Sequence, residues 1–344
     1  MAPDRDRDGI RRPLRDKDYV KIKSAFLQVV GYEHPPGSII AFPKYVKTNT
    51  RTPWTDGVNF YARMAPFYGA YGIDFSLKMV NVAPLVYDEV FDSYVPKISL
   101  NSIECAYHIE DALSRLDRKA GRLENTALEL IDEILSLSNI QRSKIGLTGS
   151  LLIGVHSNEI SDIDLVVIGL ENILRVKEAI IESGVIRPPS VKVAEQWALS
   201  GFSHGLRLRD ALFLVRRKWY RGLYKGVAVS ISGVDDEGVM RGYGVRRYKG
   251  LGEISIVTRI SKVINPFFTP VEYEVAMLGT GPKIDVIASY DGFYADVLKP
   301  GDVVEVRGLL QRVVEKDASY LRIVVGVREV PDSYIRVIEA REAS

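Results

Sequence analysis

The stretch that decides the fold covers residues 144–169 and reads KIGLTGSLLIGVHSNEISDIDLVVIG. A first apolar segment, typical of a β-strand, ends in the pair Gly149-Ser150. After a polar interval, Asp162-x-Asp164 leads directly into a second apolar segment of the same kind. Because side chains two positions apart on a strand point to the same side, we expect both carboxylates on one face of a sheet.

Two carboxylates on one face suit hard divalent cations such as Mg²⁺, and two-metal sites of this kind support in-line displacement at phosphorus. A glycine next to a serine lets the backbone approach a triphosphate closely and adds a hydroxyl beside backbone N–H groups. The hypothesis is therefore nucleotidyl transfer. Its catalytic residues and ligands of two Mg²⁺ are Asp162 and Asp164, and its nucleotide-binding residues are Gly149, Ser150 and Ser161.

The composition is that of an ordinary globular protein with two or three domains: 344 residues, of which 46% are hydrophobic and 26% charged. Cys105 is the only cysteine, which excludes an internal disulfide and a cysteine-based metal site. No apolar run reaches membrane-spanning length, and the charged start MAPDRDRDG lacks a secretory segment, so we expect a cytoplasmic protein with no membrane partner. The net charge of +2 does not by itself indicate nucleic acid.

The pattern along the chain predicts an α+β protein with an α/β unit at its centre. Residues 1–16 alternate Asp and Arg, which predicts a mobile tail, and residues 17–100 predict a β-rich N-terminal domain. Residues 101–240 contain the motif and form the central unit. Residues 250–340 contain short strands closed by glycine turns, which predicts a small barrel or sandwich.

Apolar residues at helical spacing predict four helices in the central unit. They cover residues 101–118, 125–139, 171–183 and 206–220. In the N-terminal domain, the run SLKMVNVAPLVYDEV at residues 76–90 is rich in β-forming residues and predicts a strand.

The last predicted helix and its flank carry seven basic residues and one acid between Arg207 and Lys225. A solvated basic face is one explanation. The alternative is contact with phosphate, RNA or DNA, in which cations neutralise phosphates and aromatic rings stack on bases. The candidate cations are Arg216, Arg217, Lys218 and Arg221, and the candidate stacking residues are Trp219, Tyr220 and Tyr224.

Gly-Ser followed at this distance by Ser-Asp-Ile-Asp-Leu, between apolar strands, resembles the signature of the DNA polymerase β superfamily of nucleotidyltransferases. The wider chain is similar to an archaeal group of predicted nucleotidyltransferases, through GYEHPPGSI at 31–39, the basic helix and PGDVVEVRG at 300–308. The resemblance implies a mixed sheet of four or five strands with helices packed on it. It also implies Mg²⁺-dependent transfer of a nucleoside monophosphate from an NTP to an acceptor. The resemblance does not identify the acceptor.

The resemblance further implies a third carboxylate on a neighbouring strand, predicted at residues 227–232. That segment reads VAVSIS, so Ser230 and Ser232 occupy the positions where an acid is expected. The candidate replacements are Asp210, Asp235, Asp236 and Glu253. Because two carboxylates leave one of two metal ions short of ligands, the alternative is a catalytically impaired protein that binds nucleotide or nucleic acid. A third hypothesis is an interaction scaffold that binds neither.

Overall fold

The structure is a computed structural model that describes residues 9–64, 69–116, 121–199, 205–236 and 242–340. Within these ranges the chain forms three β-sheets and seven α-helices, so the predicted α+β class is confirmed. None of the helices in these ranges is long and apolar enough to cross a bilayer.

The N-terminal sheet is built around one long strand. Its eight strands are β1 (Tyr19–Ile22), β2 (Ala25–Val29), β3 (Ser38–Thr48), β4 (Trp54–Thr55), β5 (Phe60–Arg63), β6 (Leu85–Asp88), β7 (Ser93–Ser99) and β8 (Cys105–Tyr107). One edge of β3 pairs with β2, and its other edge pairs first with β7 and then with β5. Helix α1 (Gly69–Met79) packs on β3 and covers an apolar core that includes Leu27, Ile39 and Ile98.

The central unit is a four-stranded mixed sheet with helices. Its strands are β9 (Ile145–Leu147), β10 (Ile163–Ile168), β11 (Arg221–Tyr224) and β12 (Val227–Val234), in the order β11-β12-β10-β9. β10 is parallel to β12, and the other pairs are antiparallel. Every residue of β10 except Asp164 is buried, which explains its continuous apolar sequence. The helices are α2 (Ala112–Leu116), α3 (Arg122–Ser138), α4 (Gly149–Ile153), α5 (Leu170–Ser183), α6 (Val191–Leu199) and α7 (Leu208–Arg216).

The C-terminal sheet closes into a barrel. Its strands are β13 (Arg247–Asn265), β14 (Val271–Met277), β15 (Val286–Ser289), β16 (Val303–Glu315), β17 (Ala318–Val325) and β18 (Tyr334–Glu339). β13 pairs with both β14 and β16, so the order β13-β14-β15-β17-β16 returns to β13. β18 pairs with the first part of β16, on the edge whose second part pairs with β17. Closure leaves these five strands without a free edge along most of their length.

Three predicted elements differ from the structure. The helix predicted over 101–118 is wrong in its first part, where β8 pairs with β1, and residues 117–118 lie outside the described ranges. The first residues of the strand predicted over 76–90 belong to α1 instead. This helix buries Leu77 against the N-terminal sheet. The helix predicted over 206–220 ends at Arg216, and the chain then turns into β11. In each case packing against a distant segment outweighs local sequence preference.

The prediction of a mobile tail is wrong for residues 9–16, while residues 1–8 lie outside the described ranges. The guanidinium of Arg12 donates to the carboxylates of Asp18 and Glu110, at 2.7 Å in both cases, and the Asp18 side chain is fully buried. Although burial alone would raise the pKa of Asp18, the nearby imidazole of His108 and the hydrogen bonds and charge of Arg12 together lower it. A charged segment without apolar periodicity is thus held in place by a buried ion pair.

We expect Arg12→Met to lower the free energy of unfolding by about 3 kcal/mol at pH 7, because Asp18 would remain buried without its cation. Urea unfolding measures the loss, with the exposed Arg51→Met as the matched control. Since the folded-state pKa of Asp18 is lowered, its stabilisation is present above the ordinary value and is lost as the pH falls through the lowered one. The difference from wild type should therefore shrink below about pH 4. An equal loss of free energy of unfolding in Arg12→Met and Arg51→Met would contradict the proposed role of the Arg12–Asp18 ion pair.

Candidate functional site

A cleft of about 360 Å³ lies where the N-terminal sheet, the central sheet and the barrel meet. All five residues assigned to nucleotide or metal from the sequence line it. They are Gly149, Ser150, Ser161, Asp162 and Asp164. Two of the four candidate phosphate contacts, Lys218 and Arg221, also line it.

The two carboxylates lie at the start of β10. Asp162 immediately precedes the strand, and Asp164 is its second residue. Parallel pairing with β12 places Asp164 opposite Ser230, whose hydroxyl donates to Oδ1 of Asp164. Burial and the charge of Asp162 raise the pKa of Asp164 to about 6, although Ser230 and Lys44 act in the opposite direction. The pair therefore carries an electrostatic cost that a bound cation would relieve.

Gly149 gives the loop after β9 its close approach to these carboxylates. Its φ is +67°, and a Cβ at this position would lie 2.7 Å from Oδ2 of Asp164. The backbone N–H of Thr148 donates to the carbonyl of Asp164 at 3.0 Å, which holds the loop against β10. The next residue, Ser150, is buried and lies close to the hydroxyl of Tyr45 on β3. Only glycine meets both the conformational and the steric requirement here.

Two lysines on the walls of the cleft are held in environments that disfavour their charge. Burial, together with the nearby charge of Arg63, lowers the pKa of Lys44 to about 8. Burial and the charge of Arg221 lower the pKa of Lys218 to about 7. The ammonium of Lys218 lies 3.5 Å from the ring centroid of Phe293, in cation–π geometry. A polyanion entering the cleft would favour the charged form of both lysines.

The remaining basic and aromatic candidates have other roles. Arg216 is exposed on α7, and Arg217 forms a bidentate ion pair with the buried Asp302 of the barrel. The aromatic candidates for base stacking take part in packing: Tyr224 is buried, Tyr220 is buried although it lines the cleft, and the indole of Trp219 donates to Asp296. They pack between the central sheet and its neighbours because the predicted basic helix ends before them.

None of the proposed replacements for the third carboxylate lines the cleft. Asp236, for example, pairs with Lys144, and Glu253 accepts from Arg307. The other acids that line the cleft are Asp16, from the segment before β1, and Asp291, from the barrel. Within the described ranges, no group of three His, Cys, Asp or Glu residues is arranged to hold a metal ion. The candidate metal site therefore consists of two carboxylates.

Sequence reasoning missed most of the cations of the cleft. Lys17 lies before β1, Lys44 lies on β3, and Arg63 ends β5, so all three come from the N-terminal sheet. No local motif distinguishes them, because only the packing of two sheets brings them to the carboxylates.

No protein-family model, curated protein or solved structure matches the chain. The resemblance of the motif to the DNA polymerase β superfamily therefore rests on the residues of the sequence alone.

We expect Asp164→Asn to raise the free energy of unfolding by about 3 kcal/mol at pH 8. A raised carboxyl pKa means that the folded protein binds this proton more tightly than the unfolded chain does. The resulting stabilisation is fully present below the unfolded-state pKa and is lost as the pH rises through about 6. The variant, which never ionises, should thus match wild type near pH 4 and exceed it at pH 8. Urea unfolding at both pH values tests this, with Asp236→Asn as the control, and a gain that is independent of pH would contradict it.

Proposed function

We propose that the protein is an Mg²⁺-dependent nucleotidyltransferase that moves a nucleoside monophosphate from an NTP to an acceptor hydroxyl. The observation that carries the proposal is the meeting of an acidic pair and a group of cations in one cleft. The pair is Asp162 and Asp164, and the cations are Lys17, Lys44, Arg63, Lys218 and Arg221. A divalent cation needs the carboxylates, and a triphosphate needs both the divalent cation and the basic side chains.

The acidic pair fits a metal that is shared between protein and substrate. Mg²⁺ is commonly bound through one or two carboxylates, with water and substrate phosphates completing its octahedron. The elevated pKa of Asp164 supports this fit, because two adjacent carboxylates repel one another until a cation neutralises them. When bound, Mg²⁺ would neutralise phosphate charge and lower the pKa of the attacking hydroxyl.

The chain's own residues would bind and orient the triphosphate. Lys44 and Arg63 face the carboxylates from the N-terminal sheet. Lys218 lies in the segment between α7 and β11, and Arg221 is the first residue of β11. The glycine at position 149 lets the backbone of the loop lie directly against the carboxylate of Asp164. In a partly enclosed cleft such fixed charges stabilise a developing negative charge more strongly than water does.

Asp162→Ala is expected to abolish Mg²⁺-dependent NTP binding, or to weaken it at least about thirtyfold, because the metal loses half of its protein ligands. Isothermal titration with each of the four NTPs, with and without Mg²⁺, measures the affinity. Asp236→Asn removes an equal charge outside the cleft and should leave the affinity unchanged. Unaltered binding by Asp162→Ala would refute the proposal.

Binding of an NTP without transfer is the second candidate function, and Ser230 is the observation that favours it. This serine lies opposite Asp164 and donates to it, at the position where the resemblance implies an acid. Two carboxylates would then hold a metal–nucleotide complex without completing a second metal site. Asp16 and Asp291, the other acids that line the cleft, are the candidates for the missing ligand in the enzyme hypothesis.

Ser230→Asp separates the two candidates. With water as the acceptor, an active transferase should release pyrophosphate slowly from Mg²⁺-NTP, and a third acid beside Asp164 should change that rate less than about tenfold. A binding protein should release pyrophosphate only after the substitution, because only then would both metals be fully ligated. A coupled pyrophosphatase assay measures the release, and Ser255→Asp, at an exposed position of β13 outside the cleft, is the matched control.

A further inference from the structure

An apolar cavity of about 180 Å³ adjoins the cleft. Five residues line both spaces: Val30, Phe42, Ile73, Thr269 and Tyr290. Most of the remaining lining is aliphatic or aromatic. An engineered apolar cavity of about 150 Å³ is large enough to bind benzene. The cavity beside the cleft therefore accommodates an apolar group of about one ring.

The walls of this cavity come from two of the three sheets. They are provided by the N-terminal sheet with α1, and by the barrel with the segment that follows β17. No described residue between positions 101 and 236 lines the cavity. The acidic pair and Gly149, by contrast, belong to the central unit. The cavity is thus separate from the elements proposed to hold the metal and the triphosphate, which suits a second substrate.

Two polar residues in the wall have unused hydrogen-bonding capacity. Arg322 is almost fully buried, and its Nε and Nη2 both donate to the side-chain oxygen of Gln311. Its Nη1 makes no hydrogen bond, and the nearest carboxylate oxygen, on Glu272, is 3.9 Å away. Glu33 accepts from the hydroxyl of Tyr248 through Oε1, while its Oε2 has no hydrogen-bond partner. One donor nitrogen and one carboxyl oxygen in the wall therefore remain without a hydrogen-bond partner.

A neutral ligand group suits these two atoms better than a charged one. Two acidic side chains, Glu272 and Glu33, already interact electrostatically with the guanidinium of Arg322. Bringing a further charge into an apolar space costs free energy unless it is fully paired. An amide-like group carries an oxygen that can accept from Arg322 and an N–H that can donate to Glu33.

We propose that this cavity is the acceptor subsite, and that the acceptor is a small molecule with a ring-sized apolar part and an uncharged amide-like group. The assignment rests on the proposed nucleotidyl transfer. The acceptor hydroxyl would extend past Tyr290 into the cleft. There its oxygen would bond to the α-phosphorus, the bond from that phosphorus to the pyrophosphate oxygen would break, and the hydroxyl proton would pass to solvent.

Benzamide is the probe that tests the subsite, with toluene as the ring that lacks the polar group. Ligand-observed NMR should detect binding of both to the wild-type chain. Val327→Phe fills the cavity and should weaken both at least tenfold, whereas Val257→Phe makes the same change at an exposed position of β13 and should not. Arg322→Met should weaken benzamide at least tenfold and leave toluene unchanged. Retained toluene binding shows that this variant is folded.

The role of acceptor is tested by adding Mg²⁺-NTP, which should leave the affinity for benzamide unchanged or increase it. Competition between the two would overturn the assignment, because the cavity would then hold the base of the nucleotide. Benzamide binding that Val327→Phe does not weaken would also overturn it. If the wild type binds benzamide but no NTP, the proposed function and the acceptor role fail together, while the ligand cavity stands.

Discussion

The repulsion between Asp162 and Asp164 is the constraint to which the rest of the site responds. At the start of β10, burial and the adjacent charge of Asp162 both disfavour the ionised form of Asp164 and raise its pKa. Nearby lysines face the reverse problem, since burial and neighbouring cations lower the pKa of Lys44 and of Lys218. A metal ion with a triphosphate would relieve both groups at once. A ligand that carries both positive and negative charge would therefore stabilise the charged forms of the carboxylates and of the lysines.

The part of the site that could be predicted from the sequence is the part formed by one short stretch. Gly149 and Asp164 are only 15 positions apart, and alternation along a strand determines where the carboxylates point. The cations of the N-terminal sheet could not be found in this way. Lys44 is one of many lysines on strands, and only the docking of two sheets brings it near Asp164. Local patterns carry information about strand faces but none about which sheets will meet.

The same limit explains the errors in the fold. Cys105–Tyr107 has an apolar spacing compatible with a helix, yet it forms β8 because the edge of β1 needs a partner. Residues 9–16 lack any apolar period, and their order comes from an ion pair of Arg12 with Asp18 and Glu110. By contrast, the helix predicted over 125–139 is present as α3, because its own amphipathic pattern specifies it. Prediction succeeds where an element is specified by its own residues, and fails where a distant partner decides.

The barrel has a more direct part in the site than its sequence indicates. Its short helical turn at Gly292–Tyr294 brings Asp291 and Phe293 to the cleft, and the ring of Phe293 lies against the ammonium of Lys218. Arg217, next to that lysine, is paired with the buried Asp302 of the same barrel. Lys218 is therefore positioned by two contacts with the barrel, one to its own ammonium and one through the neighbouring Arg217, rather than by the central sheet. A nucleotide held by this lysine would depend on all three sheets, although the acidic motif lies in only one of them.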